Sequence, residues 1–176
     1  MWYLKKDTDH MISKIVILII IMGFWNNLFA QKKLIKLSNY KNSEQKYSID
    51  YPENWKVEKN KDGVISIESD KIKGGIYISA YEGITFPNEH MADFILESNN
   101  LPVDYKQKIL NGEENGIKSW YISYTDPNNN LTCISMYKRK GDKLWFVSTE
   151  IEPSLWKNGW KEIILKILTS FKLNAS

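Results

Sequence analysis

Turn-forming residues divide the chain into short segments, and this division limits the fold more than any other feature of the sequence. Within the segments apolar and polar residues alternate, a period of two that is typical of strands with one buried face. Glycine, asparagine and aspartate lie between the segments, and connections this short force neighbouring strands to run antiparallel. The predicted strands are residues 47–51, 64–69, 75–81, 103–110, 117–125, 131–138 and 144–151, with a short one at 170–173.

Two segments have helical periodicity instead. Pro87 and Asn88 precede an apolar stripe, so a helix capped by Asn88 and ending at residues 99–102 is predicted. A longer helix begins near Pro153 and carries lysines and a glutamate on the side opposite its apolar face. We therefore predict an α+β domain in which the longer helix lies on a mainly antiparallel sheet. The apolar face of that helix consists of Trp156, Trp160, Ile163, Ile164, Ile167 and Leu168.

Residues 1–30 have the pattern of a secretory signal peptide. An unbroken apolar run at 15–24 follows Lys14, and Ala30 is a small residue at the expected cleavage edge. The alternative is a membrane-spanning helix, but this needs about 20 apolar residues and the asparagines at 26–27 interrupt the run too early. We expect export to the periplasm or the cell exterior, with no membrane span once the signal is removed.

The start of the chain has a second interpretation. Residues 1–10 contain two aspartates, which suit a signal peptide poorly, so Met11 is an alternative initiator. A lipid-modified signal would need a cysteine at the cleavage point, whereas the single cysteine of the chain is Cys133. Residues 31–46 are polar and predict a flexible lead-in, with a short strand near 34–37. Residues 47–174 are then a single domain.

The charge of the mature chain is nearly balanced. Removing the three lysines and two aspartates of residues 1–30 leaves 21 basic and 19 acidic side chains. A nucleic-acid partner would need a broad basic face. The single basic cluster, residues 138–140, is next to Gly141 and reads as a solvated hairpin tip, so we expect no nucleic acid to bind.

Two motifs have a distinctive form, one near the start of the domain and one at its end. Residues 47–57 read YSIDYPENWKV, a strand that ends in aromatic-Pro-x-x-Trp, and residues 163–173 read IILKILTSFKL, a helix that runs into a Ser-Phe-hydrophobic strand. Together they resemble the PsbP-like family, and the resemblance covers about residues 40–174. It implies a central antiparallel sheet sandwiched by helices, and an accessory or partner-binding role rather than an enzymatic one. No binding residue of the family can be transferred to this sequence, because core and turn roles account for the matching positions.

The sequence contains few side chains that could act in catalysis or bind a metal. The mature chain has one histidine, His90, which the prediction places in the first turn of a helix, and Cys133 lies in an apolar alternation typical of a buried residue. Neither has a catalytic motif around it, and the two together are too few for a zinc site. The string Asp126-x-Asn128-x-Asn130 lacks the glycine and glutamate of a calcium loop and predicts a turn. We predict no catalytic residue, no metal and no cofactor.

Other acidic and aromatic residues give weaker signals. The adjacent Glu113 and Glu114 fall in a predicted hairpin loop, so they would not face each other across a substrate. Alternation places Trp120, Ile122 and Tyr124 on one face of their strand and Tyr121 on the other. We expect most of the rings on these strands, including Trp145 and Phe146, to form core beneath the closing helix. The remaining candidates for ligand binding are Tyr77, Tyr81 and Tyr121.

Three functional hypotheses follow from the sequence. The first is an exported, non-catalytic binding or accessory protein whose partner or ligand is unknown. The alternative is a small secreted hydrolase with an unrecognised site, and the third is a purely structural domain of an envelope complex.

The export hypothesis makes a direct prediction. The mature protein should begin at or near Gln31, because Ala30 is the small residue at the end of the signal pattern. N-terminal sequencing of protein isolated from the cell envelope or the medium tests this. A full-length product that stays in the cytoplasm would contradict it.

Overall fold

The structure is a computed structural model that describes residues 35–174. The predicted signal peptide, residues 1–30, lies outside the described residues. Ten strands form a seven-stranded sheet in the order β3-β4-β5-β9-β8-β7-β6 and a three-stranded sheet in the order β1-β2-β10. The strands are β1 (Leu37–Asn42), β2 (Tyr47–Pro52), β3 (Lys56–Lys59), β4 (Ile65–Ser69), β5 (Ile72–Tyr81), β6 (Leu110–Glu114), β7 (Ile117–Thr125), β8 (Thr132–Lys140), β9 (Lys143–Ile151) and β10 (Lys172–Leu173).

All neighbouring strands in both sheets are antiparallel, as the short connections predict. The two main helices are α1 (Met91–Ser98) and α2 (Lys161–Ser170). One lies on each face of the large sheet. The prediction of an α+β fold with a central, mainly antiparallel sheet flanked by helices is therefore confirmed.

One face of the seven-stranded sheet packs against α2 and the three-stranded sheet. Phe171, which follows α2, is buried there and contacts Tyr47 of β2, with ring centroids 5.3 Å apart. The apolar alternation of the strands supplies this core, because every second residue points to the same side. Its fully buried aliphatic members include Ile49, Ile65, Ile67, Ile76, Ile78, Val147, Ile164 and Ile167.

The opposite face packs against α1, which buries Met91 and Ile95 on it. The rings of Tyr137 and Phe146 stack here at 4.6 Å between centroids. These rings and those of Trp120 and Tyr124 belong to this core, so the expectation that they lie beneath the closing helix is wrong. Strand alternation sends Trp145 to the α2 side.

The segment before the first predicted strand is more ordered than expected. Leu37–Asn42 pairs with β2 along its whole length, so the predicted flexible lead-in is wrong for these residues. Leu37 and Tyr40 also pack against the α2-side core. The polar composition conceals the strand because only part of one face is buried.

Two further strand predictions need correction. Residues 103–110 were predicted as a strand, but Val103–Lys108 is a 3-10 helix and the strand is Leu110–Glu114. Pro102 precedes that helix with an extended conformation, a position that suits proline. The sequence pattern also misses β3, Lys56–Lys59, a four-residue strand at the edge of the sheet with one partly buried apolar residue.

The closing helix is not continuous. Pro153 stands at its first turn as predicted, but the helix is interrupted at Trp156–Trp160, where Gly159 has a φ of 92°. Glycine accepts this conformation without a steric penalty, so the break falls there. The apolar face nevertheless forms as predicted: Ile164 is fully buried, and Trp160 stacks on Trp55 with ring centroids 5.6 Å apart.

The shorter helix differs from prediction at its start. Asn88 lies in a 3-10 turn, Asn88–His90, and makes no capping hydrogen bond, so the predicted Asn88 cap is wrong. Its Oδ1 atom is buried and has no hydrogen-bond partner among residues 35–174. Ser98 is the last residue of α1, in agreement with the predicted end. None of the helices within residues 35–174 is both long and apolar enough to cross a bilayer.

Helix α2 provides a matched test of the fold. Ile164→Ala should lower the free energy of unfolding by about 2–5 kcal/mol, because it leaves a cavity in a fully buried site. Leu165→Ala is the control on the same helix: Leu165 is 42% exposed, and its truncation should change stability by less than about 1 kcal/mol. Urea unfolding measures both values. Equal losses would mean that α2 does not pack on the sheet through this face.

Candidate functional site

A cleft of about 540 Å³ opens at one end of the two sheets, and we call it the tip cleft. Hairpin turns and strand ends supply its walls, so residues far apart in the sequence meet there. Its volume falls within the range of roughly 300–1,000 Å³ that small-molecule sites occupy. Its lining consists of residues 44–46, 80–82, 140–143 and 173–174, together with Asn115, Ile117 and Trp145.

Hydrogen bonds to backbone carbonyls fix the walls of the tip cleft. Trp145 is only 6% exposed, and its indole N–H donates to the carbonyl of Gln45 at 3.0 Å. The backbone N–H of Asn174 donates to the carbonyl of Lys46 at 2.8 Å. These bonds connect the large sheet and the residue that follows β10 to the β1–β2 turn. The cleft is therefore held in place by the same contacts that join the two sheets.

The charges around the tip cleft balance. Three acidic and three basic side chains line it, and the Nζ atom of Lys143 contacts Glu82 Oε1 at 2.5 Å. Glu44 is paired with Lys59 outside the cleft, which lowers the pKa of its carboxyl through the hydrogen bond and the charge of the lysine. A site of this composition does not favour a ligand with a large net charge of either sign.

The three tyrosines predicted as ligand candidates do not form one surface. Tyr81 is 46% exposed and lines the tip cleft. Tyr77 precedes Tyr81 by four residues on the same face of this strand but does not line the cleft, and its hydroxyl donates to Glu68 Oε1 at 2.6 Å. Burial, together with this bond to a carboxylate, raises the pKa of Tyr77. Tyr121 is on the opposite, α2-side face of β7, next to Met136.

His90 and Cys133 are far apart in the structure. His90 is exposed and precedes α1, whereas Cys133 pairs across the sheet with Tyr124, whose hydroxyl donates to Asn99 after the other end of α1. The helix between them is about 12 Å long at 1.5 Å per residue. Burial, reinforced by the nearby Glu150 carboxylate, raises the pKa of the Cys133 thiol to about 12. The structure does not assemble these residues into a nucleophile and base.

A partly buried polar cluster follows the end of α1. Asn99 Nδ2 donates to the hydroxyl of Tyr137 at 2.7 Å, and Asn99 Oδ1 accepts from Tyr124 at 2.6 Å and from Ser135 at 3.2 Å. Ser98 and Tyr137 hydroxyls are 3.0 Å apart. Both polar groups of the Asn99 side chain have hydrogen-bond partners. The role of the cluster is therefore structural: it attaches α1 to the sheet.

The carboxylates near this cluster do not make a metal site. Glu150 faces Cys133 across β8 and β9, and burial followed by repulsion from Asp126 raises the pKa of Glu150. Among residues 35–174, no group of three or more His, Cys, Asp or Glu side chains is placed to hold a metal ion. Asp126 is engaged in a turn, as predicted, where its Oδ1 accepts from the N–H of Asn128 at 2.8 Å.

The basic cluster at residues 138–140 is largely structural. Arg139 donates to the carbonyls of Phe86 at 2.7 Å and Ile84 at 3.1 Å and so anchors the segment that leads to α1. Lys138 is partly buried, which lowers its pKa, and it donates to the carbonyl of Phe171 at 3.2 Å. Only Lys140 lies in the tip cleft. The predicted hairpin tip is present, but two of its three cations are bound to backbone carbonyls.

Sequence reasoning missed most of the tip cleft. It predicted Tyr81, but it assigned Lys140 and Asp142 to a turn and gave no role to Glu44, Glu82 or Asn174. The signal that was available is the recurrence of polar hairpin turns. Strand order is needed to know which of these turns share one end of the sheet.

The buried thiol gives a chemical test of this geometry. Native Cys133 should react with a disulfide reagent at about pH 8 more than about a hundredfold slower than in the unfolded chain, since its raised pKa suppresses the thiolate and its 1% exposure blocks access. Because Cys133 is the single cysteine of the chain, the released chromophore reports on it alone. Labelling in guanidinium chloride is the control. Fast labelling of the folded protein would contradict the placement of Cys133.

Comparison with known proteins gives structural relatives only. No protein-family model matches the sequence. No curated protein matches it significantly. The solution structure of cyanobacterial PsbP from Synechocystis is similar with a TM-score of 0.61 at 14% identity, over 81% of this chain and 95% of that one. A Bacteroides thetaiotaomicron crystal structure has a TM-score of 0.51 at 13% identity, over 78% of this chain and 48% of that one. The expected resemblance is thus confirmed at the level of architecture: the chain has a PsbP-like fold.

Proposed function

We propose that the mature domain is an exported, non-catalytic binding or accessory protein that holds a small polar ligand in the tip cleft. The observation that carries this proposal is the combination of an exposed tyrosine, Tyr81, with an immobilised Trp145 in a cleft of balanced charge. A rigid aromatic wall beside amides and paired charges offers stacking and hydrogen bonds to a neutral or zwitterionic molecule.

The remaining features of the chain agree with this proposal. The PsbP-like fold supports an accessory or binding role, and the signal pattern of residues 1–30 supports export. His90 and Cys133, the groups that a secreted hydrolase would use first, stand apart in the structure.

The proposal predicts that Tyr81 and Tyr121 differ in their effect on binding. Ligands from a library of neutral and zwitterionic metabolites, saccharides and dipeptides should raise the melting temperature of the domain, as any ligand of the folded state does. Tyr81→Ala should abolish the shift, because it removes the exposed wall of the cleft. Tyr121→Ala is the matched control, since Tyr121 is a comparably exposed tyrosine of the same sheet outside the cleft. An equal loss in both variants would contradict binding in the cleft.

The hydrolase alternative is decided by turnover. His90→Ala and Cys133→Ser should leave the biological activity intact, whereas a true base or nucleophile contributes factors of about a hundred or more to the rate. Amounts of folded protein must be matched, since a buried serine hydroxyl without a partner costs about 1–3 kcal/mol. A hundredfold loss of turnover in either matched variant would replace the binding proposal by the hydrolase.

A further inference from the structure

We propose that the free edge of β6 binds an extended peptide, which adds a strand to the seven-stranded sheet. The peptide would carry an apolar side chain over Leu110 and Tyr121 and a basic side chain next to Glu113 and Glu114. None of residues 110–114 and Tyr121 lines the tip cleft, which borders this surface at Asn115 and Ile117. The proposal does not depend on a ligand in the cleft.

The backbone of β6 is the first argument. β6 and β7 are joined by a two-residue turn, Asn115 and Gly116, and the closing pair is Glu114 with Ile117. In such hairpins the closing pair exchanges backbone hydrogen bonds, and bonded and non-bonded pairs then alternate along the strands. The N–H and C=O groups of Asn111 and Glu113 therefore point away from β7. They form a hydrogen-bonding edge that only another extended backbone matches in spacing.

The side chains of β6 leave this edge open. All five residues of the strand are exposed, and Leu110 is 70% exposed. Leu110 is directly opposite Tyr121, itself 36% exposed, so two apolar side chains form a cross-strand pair at the surface. A β-carbon added at Gly112, on the same face, would meet nothing within 4 Å. That empty position leaves room for a partner's side chain beside Leu110.

The other edge of the same sheet shows how an edge is protected. β3 reads KVEK, and its lysines form ion pairs: Lys56 with Asp70 at 2.9 Å and Lys59 with Glu44 at 2.8 Å. Charged side chains of this kind, lysine above all, are a common means of preventing strand addition. β6 reads LNGEE and contains no lysine. The two edges of one sheet thus differ in the feature that discourages pairing.

The negative charge of the β6 edge favours a basic peptide as its partner. Glu113 and Glu114 are exposed, and an ion pair at this edge, between Lys118 Nζ and Glu113 Oε2, is 3.9 Å long and solvent-exposed. Such a pair contributes little and leaves the carboxylate able to accept a second cation. A second copy of β6 fits poorly, because antiparallel self-pairing about Gly112 would place Glu114 against Leu110 and bring four carboxylates together. A basic, extended peptide satisfies both the backbone and the charge.

The test uses a short synthetic peptide of alternating valine and lysine with blocked ends, titrated into the isotopically labelled protein. We expect its binding to shift the amide signals of residues 110–114 and to slow hydrogen exchange at Asn111 and Glu113. Glu113→Pro should weaken binding at least about tenfold, since it removes an outward N–H, and proline is tolerated at strand edges. Lys59→Pro on the β3 edge is the matched control and should leave binding unchanged.

A charge variant keeps the proposal falsifiable if the proline variant does not fold. Glu113→Lys preserves the backbone, and it should weaken binding of the lysine peptide by several-fold. The proposal is overturned if the wild-type protein does not bind the peptide, if the shifts fall in the tip cleft, or if folded Glu113→Pro binds as well as wild type. Dimerisation that Glu113→Pro abolishes would assign the edge to a second copy instead. Tyr81→Ala should leave peptide binding unchanged, so the peptide-binding result is independent of whether the tip cleft binds a ligand.

Discussion

Strands β8 and β9, in the middle of the large sheet, bury side chains on both faces, and the rest of the structure depends on covering them. β8 sends Ile134 and Met136 to one side and Tyr137 to the other, and all three are buried. A sheet buried on both faces needs a layer on each. Helix α2 and the three-stranded sheet provide one layer, and α1 provides the other. Because the three-stranded sheet includes β1, residues 37–42 are part of the fold and not a tether.

The position of α1 is set by polar contacts as well as by packing. Asn99 accepts from two hydroxyls and donates to a third, so its side chain holds the end of the helix over β7 and β8. Burial raises the pKa of Tyr137 to about 12, so this hydroxyl stays protonated at any physiological pH. At the other end of the helix, Arg139 fixes the incoming segment through Ile84 and Phe86. Residues that could have suggested chemistry thus stabilise the fold.

The sequence predicts what depends on local periodicity and misses what depends on pairing at a distance. Ile117–Thr125 was predicted to the residue, because its alternation is strong and its ends are marked by turns. Val103–Lys108 was misread, since its short 3-10 helix has too few residues to establish a period. β1 and β3 were missed or misplaced because each is partly polar and acquires its hydrogen bonds from a partner strand. The tip cleft is harder still, because it requires the order of the strands before its walls can be named.

Both proposed binding surfaces belong to parts of the molecule that the core does not constrain. The turns around the tip cleft and the outer edge of β6 bury little apolar area, so substitutions there change the surface without a large loss of stability. The strands behind them are fixed: Trp145 is nearly buried, and Tyr121 belongs to a strand whose alternate residues form the α1-side core. Preorganised side chains on a rigid sheet lose little entropy on binding. The proposed binding surfaces are therefore the tip cleft and the β6 edge, whereas the faces of the large sheet form the core.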